Sequence, residues 1–126
     1  MASEPRRVIL ESPYGSPSKL IVRRNVLYAR AAVRDSLLRG EAPIASHLLY
    51  TQDGVLDDRV ADERAMGIAA GLAWRAFAAA TVVYRDLGIT PGMQHGVALA
   101  HEAGIPVEFR NIGERTWRGH RWWLPR

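Results

Sequence analysis

The chain contains no cysteine, which excludes disulfides and thiolate-held metals and suits a reducing cytoplasm, the compartment expected here. The common signatures of phosphate and acyl chemistry are missing as well. There is no Gly-x-Gly-x-x-Gly fingerprint, no Walker loop and no Gly-x-Ser-x-Gly elbow, so neither a dinucleotide fingerprint nor a serine hydrolase has a foothold. No His-x-x-x-His pair exists, and His95 and His101 fall on different helix faces; neither a metal nor another cofactor is expected. Lysine is almost absent: Lys19 stands alone among 17 Lys+Arg, against 13 Asp+Glu, for a net charge of +4. An arginine-rich balance favours forked contacts with phosphate or carboxylate, and it is equally what a GC-rich genome encodes. The basic residues form no stripe, so a nucleic-acid partner is not expected. The apolar run after the polar stretch Met1 to Arg7, Val8 to Leu10, is too short for the apolar core of an export signal, so none is expected. Ala65 to Tyr84 is almost uncharged, but it is rich in Ala and Gly and carries Arg75 at its middle. A central arginine costs roughly 2.5–3.5 kcal/mol on membrane insertion, and the stretch reads as a buried helix followed by a buried strand, not as a membrane span.

What is present is ordinary globular material: 126 residues, 48% hydrophobic and 24% charged, enough for one domain with one core. Val8-Ile9-Leu10 predicts a first strand, ended by Ser12-Pro13-Tyr14-Gly15-Ser16-Pro17. Asn25 is a candidate N-cap for a helix whose apolar face holds Val26, Ala29, Val33 and Leu37 and which stops at Gly40. Pro43 to Ser46 reads as a second strand, followed by the segment His47 to Gln52 and the turn Asp53-Gly54. Asp57, Asp58, Asp62 and Glu63 suit the start of a second helix, with Met66, Ala70, Ala73 and Phe77 as its apolar face. Gly67 and Gly71 would let another backbone approach. Thr81-Val82-Val83-Tyr84 is a buried strand. Thr90-Pro91 starts a third helix, which Gly104 ends, and Pro106 to Phe109 is the last strand. The order β-α-β-α-β-α-β implies parallel strands joined by right-handed crossovers. Residues 1–113 read as the domain and 114–126 as a basic aromatic tail.

In such sheets the ligand sits beyond the C-terminal strand ends, which gathers the loops Ser12 to Pro17, His47 to Gln52 and Tyr84 to Thr90. Thr90-Pro91-Gly92-Met93 would present free backbone N–H groups to an anion; it is also a plain helix cap. Tyr14 suits stacking on a base and Ser16 a phosphate, or both belong to an ordinary turn. His47 reads as a proton donor or base contact, or as a structural histidine. Asp86 and Glu63 are the candidate catalytic acids. Their plain alternatives are a solvated loop aspartate and a helix-start charge.

The ordered set Ser12-Pro13-Tyr14, Thr81 to Tyr84 with Asp86, and Thr90-Pro91-Gly92-Met93 before Gly104-Ile105-Pro106-Val107 resembles the nucleoside 2-deoxyribosyltransferase-like superfamily. Ser46 to Gln52 resembles, more narrowly, a family of short bacterial and phage proteins of unknown function. The likeness spans about residues 8 to 112. It implies a small Rossmann-like three-layer α/β/α fold with a mostly parallel sheet of four to five strands. It also implies homo-oligomers, a nucleoside or nucleotide ligand held by Tyr14, Thr90, Gly92 and Met93, and cleavage or exchange of an N-glycosidic bond. The glutamate that attacks in that superfamily maps to Gly96, which can neither stabilise an oxocarbenium-like centre nor capture it. Either another acid serves, with Asp86 or Glu63 as candidates, or the pocket binds without catalysis, as a nucleotide-sensing or sequestering module. A third reading puts function in the tail, where Trp117, Trp122 and Trp123 among arginines suit single-stranded nucleic acid or a neighbouring subunit.

Overall fold

The computed structural model describes residues 4–113 and Trp117. Four strands, β1 (Arg6–Glu11), β2 (Glu41–Ile44), β3 (Ala80–Tyr84) and β4 (Val107–Arg110), form one sheet in the order β2-β1-β3-β4, and every neighbouring pair is parallel. The helices are α1 (Lys19–Leu38), a single turn α2 (Ser46–Leu49), α3 (Ala61–Ala73) and α4 (Pro91–Glu102). This is the small Rossmann-like α/β fold. Pleating sends alternate residues to opposite faces. Val8, Leu10, Val82 and Tyr84 meet Tyr28, Ala31 and Ala32 of α1 in the core, while Glu11 turns to the other face, where α4 lies against it.

Helix starts and stops follow local chemistry. Thr90 caps α4 and Pro91 occupies its first turn, as the sequence predicts. Gly40 takes φ +84° just past the C-cap of α1, a conformation that side chains resist. The N-terminus of α1 is a correction. Ser18, not Asn25, is the N-cap, and its hydroxyl accepts the N–H of Ile21 at 3.3 Å. Asn25 is buried inside the helix, where its Nδ2 donates to the Tyr14 carbonyl at 2.8 Å. The core face of α1 is accordingly centred on Tyr28, Ala32 and Ser36, and Leu37 is exposed. The second strand begins at Glu41, two positions before Pro43; Pro43 is tolerated because β2 is an edge strand.

The second correction concerns α3. Of its predicted apolar face, Met66, Ala73 and Phe77 are exposed and Ala70 is half-buried, and the only residue the helix buries is Gly71. The helix leans on its glycine edge instead. A Cβ on Gly71 would lie 2.5 Å from the Ser46 hydroxyl, and one on Gly67 would lie 3.3 Å from Leu56. The close approach foreseen for these glycines is therefore made inside the chain, to α2 and the loop after it. The stretch Ala65 to Tyr84 is a mostly exposed helix followed by a fully buried strand. Among the described residues no helix is long and apolar enough to cross a membrane.

Under α1 lies a buried charge network. Glu41 accepts two parallel bonds from Arg110, both 2.7 Å, and further bonds from Arg6 at 2.7 Å and Ser36 at 2.8 Å. Tyr84 joins it, accepting from Arg110 at 3.1 Å and donating to Asp35 at 2.6 Å.

Candidate functional site

Parallel strands place all three sequence-predicted turns at one edge of the sheet. The winding reverses between β1 and β3, so the switch point, where ligands settle in folds of this kind, lies beside the last pair of their register, Glu11 and Val83.

The first two turns are joined directly. Buried Ser12 shares a 2.6 Å hydrogen bond with Nε2 of His47, and the Tyr14 ring stands edge-on to the His47 ring with centroids 6.4 Å apart. Burial pushes the His47 pKa down to about 4, so the ring is neutral at pH 7. It orients Ser12 and Tyr14 and does not act as a cationic donor. Beyond this pair opens a cavity of about 730 Å³ whose lining includes Tyr14, Ser16, Lys19, Gln52, Asp58 and Glu63. That size suits a nucleoside or nucleotide. Ser16 accepts the Ser18 N–H at 3.1 Å, at the start of α1. Glu63 accepts the Asp57 N–H at 3.1 Å, which fixes one of its oxygens and leaves the carboxylate on the cavity wall.

The third turn behaves differently. The Thr90 hydroxyl accepts the Met93 N–H at 3.2 Å, and the Met93 sulfur accepts the Thr90 N–H at 3.4 Å. Two donors foreseen for an anion are thus used within the turn. Met93 is buried, Gly92 is exposed, and none of the three lines the cavity. Asp86 is turned toward α1 and the chain after β4: it accepts from Tyr28 at 2.5 Å, from the Ile112 N–H at 3.0 Å and from the Gly113 N–H at 2.9 Å. Burial opposes its ionisation, but the bonds from Tyr28, Ile112 and Gly113 outweigh it and hold the pKa below the usual range. Asp86 sits as an ionised, fully bonded anchor.

Glu11 was not among the residues singled out from the sequence. No described residue donates to its carboxylate or pairs with it, yet its oxygens are not sealed from solvent. Burial raises its pKa to about 7. Its carboxylate lies over Gly96: a Cβ there would stand 2.5 Å from Oε1 and 2.8 Å from Cδ. The signal was available in principle. An acid closing an apolar strand, on the face opposite Val8 and Leu10, is out of place in a sheet covered on both sides.

The family model described as "Domain of unknown function (DUF7768)" matches residues 6–110. No curated protein and no solved structure matches the chain.

Proposed function

The chain belongs to the DUF7768 family, a domain of unknown function, and from that premise we propose that it binds a nucleoside or nucleotide at the C-terminal rim and cleaves or exchanges its N-glycosidic bond. One observation carries the reading: Tyr14 and Ser16 line a nucleotide-sized cavity, and the loop they belong to starts at Glu11, a carboxylate that stands outside the cavity lining, against Gly96 at the switch point. Tyr14 offers a ring for a base, and Asp58 and Glu63 offer acceptors for sugar hydroxyls. A carboxylate near the anomeric carbon supplies what an oxocarbenium-like transition state needs. The likeness to the nucleoside 2-deoxyribosyltransferase-like superfamily supports the same reading.

The test is a thermal-shift screen of nucleosides and their monophosphates, with chromatography of every hit. A ligand at a hundredfold excess over its Kd stabilises the fold by about 2.7 kcal/mol, a rise of several degrees, and free base is expected to accumulate. No shift at millimolar ligand rejects the pocket. A shift with the ligand recovered intact selects the non-catalytic binding module.

A second copy of the chain is the partner this reading includes. Met66, Ile68, Trp74 and Phe77 are exposed apolar side chains on α3 and the turn after it, the type of residue a partner surface covers. Pairing across a twofold axis would bring these exposed side chains of two copies together. Light scattering is expected to give a dimer or a multiple of it, and Ile68→Glu a monomer. A monomeric wild type at micromolar concentration rejects the pairing.

A further inference from the structure

We propose that Glu11 is the catalytic carboxylate of this site, accepting a proton from the water that adds to the anomeric carbon of a bound nucleoside; the assignment rests on the N-glycoside reading above. A bond forms between the water oxygen and the anomeric carbon. The bond from that carbon to the base nitrogen breaks, and its electron pair leaves with the base. The water proton passes to Glu11 and from there to the departing nitrogen. The products are free sugar and free base, and the carboxylate is regenerated.

Location is the first support. Glu11 closes β1 beside Val83 of β3, at the point where the winding reverses. Its partners, or rather their absence, are the second. The other carboxylates withdrawn from water are taken up: Glu41 by Arg110, Arg6 and Ser36, Asp86 by Tyr28, Ile112 and Gly113, and Asp35 by Tyr84 and Arg39. Buried polar groups are almost always satisfied in this way. Glu11 is half-buried beneath α4 and gains no donor from the described residues in return. No described side chain or backbone group occupies its lone pairs. The third support is Gly96. The carboxylate occupies the space directly above this helical glycine, and the first carbon of any side chain there would expel it. A glycine within a helix weakens it; this one keeps room for the acid. Elevated basicity fits the task, since a group titrating near neutral pH both accepts and returns a proton. The neighbouring imidazole of His47 is neutral and already bonded to Ser12, so it does not compete for that role.

The experiment takes the nucleoside that the wild type turns over fastest and measures base release and binding for Glu11→Gln and Gly96→Ala. For Glu11→Gln, kcat is expected to fall by about 10²- to 10⁴-fold, with the nucleoside Kd from calorimetry within roughly threefold of wild type. Gly96→Ala tests position without touching the acid. Alanine favours a helix over glycine, so Tm should hold or rise, while kcat drops at least roughly tenfold because the carboxylate is displaced. Two results separate the failures. If the wild type releases base and Glu11→Gln does so within about threefold of it, the assignment of Glu11 is overturned and the N-glycoside reading stands. If the wild type binds nucleosides without releasing base, or binds none, both are overturned.

Discussion

Glu41→Gln is expected to destabilise the fold by about 3–5 kcal/mol, because removing one member of a buried ion pair leaves the other charged and unmatched. The glutamate and its main partner, Arg110, are 6% and 8% exposed. A neutral amide cannot accept the paired guanidinium bonds, so buried Arg110 would keep only half-exposed Glu108, at 3.0 Å, as a counter-charge, while Arg6, 42% exposed, retains Glu108 and water. Against a total stability of about 5–15 kcal/mol for a domain of this kind, much of the margin is lost. Urea unfolding should show the effect as a lower midpoint with an unchanged slope. Replacing the pair together, Glu41→Leu with Arg110→Met, should be far milder, since apolar substitutes for a whole buried pair are often neutral or better. Equal losses for the single and the double variant would show that the cost comes from losing the pair itself and not from an unmatched charge, and would overturn this account.

The same network predicts an acid transition. The guanidinium of Arg110, outweighing the cost of burial and helped by Arg6 and Ser36, holds the Glu41 carboxyl down to about 2. A depressed carboxylate gives stability that is fully present above its unfolded value, about 4.3, and that is lost as pH falls toward the folded value. Unfolding free energy should therefore decline between about pH 4.5 and 2, and this part of the decline should vanish in the double apolar variant.

Asp86→Ala is the second large effect, a loss of about 2–4 kcal/mol, because the change strips the acceptor from two part-buried donors, the Tyr28 hydroxyl and the Ile112 N–H, at about 1–3 kcal/mol each, while the exposed Gly113 N–H turns to water. The Tyr28 hydroxyl, whose deprotonation burial already resists, and the backbone of Ile112 and Gly113 would all lose a partner. Tyr28 also supports Trp117, whose ring meets it edge-on with centroids 5.3 Å apart. A red shift of tryptophan emission, ahead of global unfolding in a denaturant series, should report loosening of that contact. Asp86→Asn should cost less. The folded fraction of either variant should keep its base-release rate per molecule, since this carboxylate holds the chain after β4 and not the cavity. A rate lost in fully folded Asp86→Asn would return the residue to the list of reacting groups.

The tail beyond residue 113 lies outside the described residues except for Trp117, which is buried against the core cluster. Of the two roles weighed for the tail tryptophans, Trp117 takes neither: it closes the α1 face of its own domain.

Features that a few neighbouring residues decide are legible before any folding is known. Thr90-Pro91 begins α4, Gly40 and Gly104 follow the ends of their helices, and the β-branched run up to Tyr84 is a strand buried on both sides. Alternation of these elements then led to parallel pairing and to the edge where the loops gather. Which groups meet there follows from three-dimensional packing. Glu41 and Arg110 are 69 positions apart, Glu11 reaches Gly96 across the sheet-to-helix gap, and Asp86 finds Tyr28 on another element. No local pattern encodes such encounters. They depend on strand order and on the direction each side chain takes from the pleat, and both are fixed when the whole core packs. Face assignment failed on α3 for the same reason: its glycine edge fits α2 more closely than its larger residues would, and periodicity records where apolar residues recur, not what comes to lie against them.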